Sequence, residues 1–353
     1  MDRRLLFLSF VIIFSASCNK EESKPLDTGF LHGVFVVNEG GYASNNGSIT
    51  YIDTDSSLIY YNLFEQVNNR STGDVIQSFT VFEDMGFIVA NNSQKVEVVD
   101  LETFASIGTV LGADYPRYFL GISNNKGYLS DGAFNGNILV IDLTTFMISG
   151  QIVVGNGPEN MVQSGDLVFV ANSGGWTSDS TVSVINSLDD LVVKTLKVGD
   201  NPTDMVVDAN GKVWVLCKGK VSYDQNWNVI GETSSRLMQI NPNDYSITKD
   251  FEIGIKGDFF NPVRIAISKD GNTIYYVEAE GIYKHTVSDA NTSNQVYIKG
   301  SFYGLDLDPK EGIIYALKAN GFDADGYLYR YEESGTLVDS IKVGIGPNGA
   351  NFN

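Results

Sequence analysis

A unit of two neighbouring strands closed by an aspartate turn recurs along this chain, and the recurrence limits the fold more than any other feature. The clearest copies are Gly86 to Asn91 with Val96 to Asp100, Gly127 to Asp131 with Ile138 to Asp142, and Leu167 to Asn172 with Thr181 to Asn186. Others begin near Val34, Val213, Ile274 and Ile314. Spread between Gly33 and Asn353, seven copies have a mean period of roughly 46 residues, inside the ~40–50 of propeller blades. Between these units no segment carries a sustained helical period, whereas short runs of Val, Ile, Tyr and Phe alternate with Gly, Asn and Asp clusters. The chain therefore reads as all-β, a seven-bladed propeller. A length of 353 residues taken alone would suggest about two domains of ~150 residues.

A second repeat lies between the blades. Val154-Gly-Asn-Gly-Pro158, Val198-Gly-Asp-Asn-Pro202 and Val343-Gly-Ile-Gly-Pro347 share a Val-Gly-x-x-Pro turn followed by a short strand. Tyr115-Pro116-Arg117-Tyr118 and Asn261-Pro262-Val263-Arg264 are looser versions. Proline suits a turn where no ladder donor is needed, and the strand after it should be the innermost of the next blade. The chain then opens on a second strand, Gly33 to Asn38, and ends on a first strand, Asn348 to Asn353. Joining them closes the ring and removes the open edge.

The N-terminus reads Met1-Asp2-Arg3-Arg4, an apolar run from Leu5 to Phe14, then Ser15-Ala16-Ser17-Cys18. Basic, apolar and small-residue regions in this order predict a secretory signal over residues 1–17, cleaved before Cys18. Acylation of Cys18 would anchor the mature chain in a membrane. Residues 18–32 read as a solvated tether, and 33–353 as the propeller. Lys20-Glu21-Glu22 resembles the export tag of lipoproteins displayed on the cell surface.

Composition narrows the partners. A net charge of −19 and no basic patch disfavour nucleic acid. Two Cys and two His leave little for disulfides, metals or acid–base catalysis. His32 falls in the tether and His285 in a third strand running away from the long loops. Cys217 closes a second strand and reads as a small core residue. There is no Gly-x-Ser-x-Gly elbow and no Cys/His cluster at metal spacing. Asp323-Ala-Asp-Gly326 resembles the middle of a calcium loop, yet Gly321 occupies the first ligand position and Glu332 falls across the blade. It reads as an Asp-Gly hairpin, with calcium the alternative. The expectation is a protein without catalytic residues, metal or cofactor.

The loops sort onto two ends. Turns such as Ser123 to Gly127 and Asp208 to Gly211 are short and rich in Asn, Asp and Gly, so turn geometry explains them. Loops at the other end are long and carry Tyr42, Tyr115, Tyr118, Phe134, Trp176, Tyr223, Trp227, Phe259, Phe260, Phe302, Tyr303 and Phe322. Rings mixed with amides, carboxylates and guanidinium groups suit a large, flat, amphipathic ligand. A corrinoid, a glycan or a peptide all meet that description. Tyr42, Trp176, Trp227, Phe259 and Tyr303 are the expected ring platform, and Asn45, Arg117, Asp131 and Arg264 its polar fringe.

The Val-Gly-x-x-Pro repeats resemble those of YncE-like, surface-layer-type propellers. The opening stretch Phe35 to Asp53 resembles the first blade of lipid-anchored surface members, among them the cobalamin-capture lipoproteins of outer-membrane vitamin B12 uptake. The resemblance covers nearly the whole mature chain. It implies an outer-membrane lipoprotein facing the cell exterior, with cobalamin as a transported ligand and a TonB-dependent transporter as partner. A surface module binding a protein or polysaccharide is the alternative, and a lyase or hydrolase a more distant one.

Overall fold

The computed structural model describes residues 29–254, 264–278, 280–293 and 295–353. The expected signal segment, Cys18, most of the tether, Phe259 and Phe260 lie outside them. Seven four-stranded antiparallel sheets form a seven-bladed propeller, as the repeat predicts. The first blade takes strands from both ends of the chain. Pro347–Phe352 lies innermost and pairs with Gly33–Asn38, which carries Ser48–Asp53 and Ile59–Tyr60 outward.

Blade packing explains why the second strand of each unit is the most apolar. Val213–Cys217 is buried at every position because a neighbouring blade covers each of its faces, whereas the outermost Leu191–Lys197 buries only Leu196. The described core divides into seven apolar clusters, each shared by two adjacent blades. In one of them Phe87 and Val98 meet Phe119 and Leu129, with the Phe87 and Phe119 rings stacked at 3.8 Å. Each such buried side chain contributes roughly 1.5–3 kcal/mol. Gly127 leaves room for this arrangement, since a Cβ there would lie 2.4 Å from the Phe119 ring.

Aspartate turns hold the short-looped end. Asp100 Oδ1 accepts from the Thr103 N–H at 2.8 Å, and Asp142 Oδ1 from the Thr144 N–H at 2.8 Å. Asp208 accepts from the Asn210 and Lys212 N–H groups and from the buried Trp214 indole. Cys217 is fully buried, and burial pushes its thiol up to about 12. His285 is likewise buried, packed between Trp214 and Phe251.

Two features depart from the expected layout. Phe30, assigned to the tether, is buried against Tyr51 and Phe104, so packed structure begins before Gly33. Leu63–Asn68 forms a short helix between the first two blades, burying Leu63 and Phe64 in the same cluster.

Five of the innermost strands share a bulge directly after the turn. The register slips between Ile76 and Ser78, Pro116 and Phe119, Pro158 and Met161, and Pro202 and Asp204. Pro347 and Gly349 show the same slip against Asn38 and Val37. An extra residue re-aims the side chains around it. The two positions after the turn residue are thereby brought to the axial channel in several blades.

Candidate functional site

Gln77, Arg117, Tyr118, Glu159 and Asn348, from these bulges and their turns, meet Glu39, Arg264 and Tyr303 at the channel mouth. Arg117 Nε donates to both Glu159 carboxylate oxygens, at 3.1 and 3.0 Å, and Arg117 Nη1 donates to Gln77 Oε1. Gln77 Nε2 donates to Tyr118 Oη at 3.3 Å, and Tyr118 Oη also accepts from Arg264 Nη1 at 3.0 Å. Arg264 Nε reaches the Asn348 carbonyl at 3.2 Å. Asn348 Nδ2 donates to Glu39 Oε1 at 2.7 Å, and the Tyr303 hydroxyl donates to the same carboxylate. A polar belt thus links strands from blades 1, 2, 3, 4, 6 and 7. Burial pushes the Glu39 carboxyl up, although Asn348 and Arg264 oppose the shift.

From the belt toward the short-turned end runs a cavity of about 670 Å³, walled by Thr80, Leu120, Val206, Ile267 and Leu307. Asp204 and Asp306 stand in it. Their oxygens accept backbone N–H groups, from Met205 and Ile265 to Asp204 and from Ala350 to Asp306. Burial raises Asp204 to about 6 and Asp306 to about 7, with Arg264 pulling both the other way.

Among the described residues, the aromatic side chains of the rim form two patches and a separate hairpin rather than one platform. On blades 3 and 4, Trp176 is 68% exposed and its ring lies 6.3 Å from Tyr115, whose ring stacks under the Arg117 guanidinium at 5.6 Å. The Trp176 loop is tied to blade 3 by Trp176 N–H to Ala133 O at 2.8 Å. Ser173, in the same loop, donates to Glu159 Oε1 at 3.4 Å. Exposed Phe134 belongs to this side. On blades 7 and 1, Tyr303 meets Phe322 edge to face at 5.6 Å, and the Tyr42 loop passes close by, with Gly41 against the Phe322 carbonyl. Tyr42 itself is 77% exposed. Trp227, 81% exposed, tops a two-stranded hairpin of Lys220–Tyr223 and Val229–Thr233 on blade 5.

The expected residues therefore divide. Arg117, Arg264 and Tyr303 come together in the belt, and Trp176 joins Arg117 through Tyr115. Tyr42 and Asn45 share the blade 1 loop, where the Asn45 carbonyl accepts from Ser71 Oγ at 3.0 Å. Asp131 is a correction: it is buried, and its oxygens cap the Asp114 and Tyr115 N–H groups, so it shapes the turn instead of fringing a ligand. Tyr118, one of the long-loop aromatics, and Tyr303, expected in the ring platform, hydrogen-bond within the belt, and Phe302 packs against Tyr329 and Tyr331. Asp325 of the calcium-like fragment pairs with Lys342 at 2.8 Å.

Glu159, Gln77, Glu39, Asp204 and Asp306 are not among the residues that stand out in the sequence. For Glu159 and Asp204 a signal was present, in the polar pairs directly after three of the turn prolines: Arg117 and Tyr118, Glu159 and Asn160, Thr203 and Asp204; Gln77, Glu39 and Asp306 follow no proline. In a plain strand only one of two successive residues faces the axis. The bulge brings in the second.

Residues 32–347 match a family model described as a domain of unknown function, DUF5074. No curated protein matches the chain. Among solved structures, a quinonprotein alcohol dehydrogenase-like protein from Bacteroides thetaiotaomicron is similar, with 16% identity over 92% of this chain and 79% of that one, and a TM-score of 0.68. BamB from Moraxella catarrhalis shares 13% identity over 90% of this chain and 85% of that one, at a TM-score of 0.54. Hydrazine synthase from Kuenenia stuttgartiensis shares 15% over 75% and 85%, at 0.55. These identities establish the fold alone.

Proposed function

We infer the function of this chain, which belongs to the DUF5074 family, from the chemistry of its long-looped rim: it is a binding propeller rather than an enzyme. The observation that carries the reading is the continuous run from exposed Trp176 through Tyr115 to the Arg117–Glu159 pair. Rings cover an apolar plane while the charged pair satisfies polar groups at its edge. A broad amphipathic macrocycle fringed with carboxamides fits this arrangement, and cobalamin is the member of that class we propose. Capture at the cell exterior, anchorage through Cys18 and delivery to a TonB-dependent outer-membrane transporter complete the reading, which rests there on the N-terminal sequence and the resemblance to capture lipoproteins.

A calorimetric or visible-absorbance titration with cyanocobalamin tests it. Saturable binding at micromolar ligand is expected, and its absence would sink the corrinoid reading. A second reading, a docking module for a protein, draws on the blade 5 hairpin, where Val229 and Ile230 are exposed beside Tyr223 and Trp227. Loss of partner binding without loss of corrinoid binding on deleting the hairpin would support it.

A further inference from the structure

The Arg117–Glu159 pair sits at the channel mouth with its side chains 19% and 13% exposed. It is held from several sides. Gln77 accepts from Arg117 Nη1, Tyr115 lies against the guanidinium, and Ser173 donates to Glu159. Arg117 Nε donates to both oxygens of Glu159, and Nη2 lies 2.9 Å from Oε2. A guanidinium has five N–H donors. With one on Nε, one on Nη1 and at most one on Nη2 engaged, each terminal nitrogen keeps an N–H over. Glu159, as a carboxylate, contributes acceptors alone, about four sites, of which the hydrogens of Arg117 Nε, Arg117 Nη2 and Ser173 Oγ engage at most three, so one remains. The mouth therefore offers a fixed donor beside a fixed acceptor, next to an aromatic surface.

We propose that this pair is a specificity element that reads a primary carboxamide on the bound ligand and rejects the corresponding carboxylate. A carboxamide carries the complementary set, a carbonyl that accepts from Arg117 and an NH2 that donates to Glu159. A carboxylate at the same place satisfies Arg117 but sets a negative charge against Glu159 with no proton between them. Like charges facing each other in a partly desolvated site are strongly unfavourable. Arginine alone would favour the acid, so the selectivity resides in Glu159. The inference rests on the corrinoid reading above, because it needs a ligand rich in amides.

The test uses calorimetric titration of the full chain at pH 7 with cyanocobalamin and, separately, with each of its monocarboxylic acids, in which one side-chain amide is hydrolysed. At least one acid should bind about tenfold more weakly or worse, corresponding to about 1.4 kcal/mol. Glu159→Gln, which restores an N–H donor opposite the carboxylate, should cut that ratio to below about threefold while cyanocobalamin still binds. Thermal melts of the variant separate a folding defect from a change in selectivity, and Glu159→Asp should restore discrimination in part. Equal binding of amide and acids by the natural chain, or a ratio unmoved in Glu159→Gln, overturns the proposal while leaving corrinoid capture standing. Failure of cyanocobalamin to bind the natural chain removes the capture reading and this proposal together.

Discussion

Asp306 and Asp204 face a cavity in which desolvation outweighs the attraction of Arg264, so both hold their protons at higher pH than in the unfolded chain. The folded state therefore binds more protons than the unfolded one between pH ~4 and the raised values, and stability falls as pH rises across that interval. Asp306→Asn removes one such group. Its urea midpoint should exceed that of the natural chain at pH 8, by on the order of 2–4 kcal/mol in unfolding free energy, and match it near pH 4. A shift of equal size at both pH values would assign the effect to packing. Cys217 gives a second single-residue expectation: its buried thiol, raised to about 12, should resist a thiol reagent in a Cys18→Ser chain until denaturant is added. Rapid labelling of the folded protein would contradict the core assignment. Its place in the core was readable from the apolar run Val213 to Cys217, whereas the proton affinity of Asp306 was not, because it depends on strands from other blades closing around it.

The loop bearing Trp176 owes its position to close backbone contact between blades 3 and 4. Gly157 has a φ of +55°, and a Cβ there would come within 1.9 Å of the Gly175 nitrogen. Gly157→Ala is expected to displace this loop, lower stability by more than 1 kcal/mol or so, and weaken rim binding in the same titration. Trp176→Ala and Trp227→Ala make the contrasting case. Both rings are largely exposed, so each variant should stay within about 0.5 kcal/mol of the natural chain in chemical unfolding. Corrinoid affinity should fall chiefly for Trp176, which adjoins the charged pair. An equal loss of stability would mean that the rings are packing residues. Strands and their order were legible because period-two runs recur with glycine and aspartate turns. The helix Leu63–Asn68 was not, since six residues span less than two turns and carry too little periodicity. The bulges were hidden for a related reason: one extra residue leaves no mark on composition, only on which side chains meet the axis.

Around the whole ring, closure depends on the last strand. Without Pro347–Phe352, Gly33–Asn38 would lose its inner partner and expose an apolar edge. A chain ending at Ile345 should lose its cooperative thermal transition or fail to remain soluble, as read by circular dichroism and size-exclusion chromatography; a merely frayed tail would leave the melt unchanged. This dependence follows from the offset of the two ends in the repeat, as do the seven blades and the segregation of short turns from long loops. Repetition makes those properties local, since each unit carries its own strand and turn signals and needs only its neighbours to be interpreted. The contents of the mouth are of another kind. Arg264 bonding Tyr118, Asn348 reaching Glu39, and Arg117 facing Glu159 across blades join residues far apart in the chain. Their pairing depends on ring curvature and on bulges that turn successive side chains inward. The polar pairs after three turn prolines mark some of the positions that reach the mouth, but no pattern of spacing encodes which of them pair, and the closed ring alone brings these charges together.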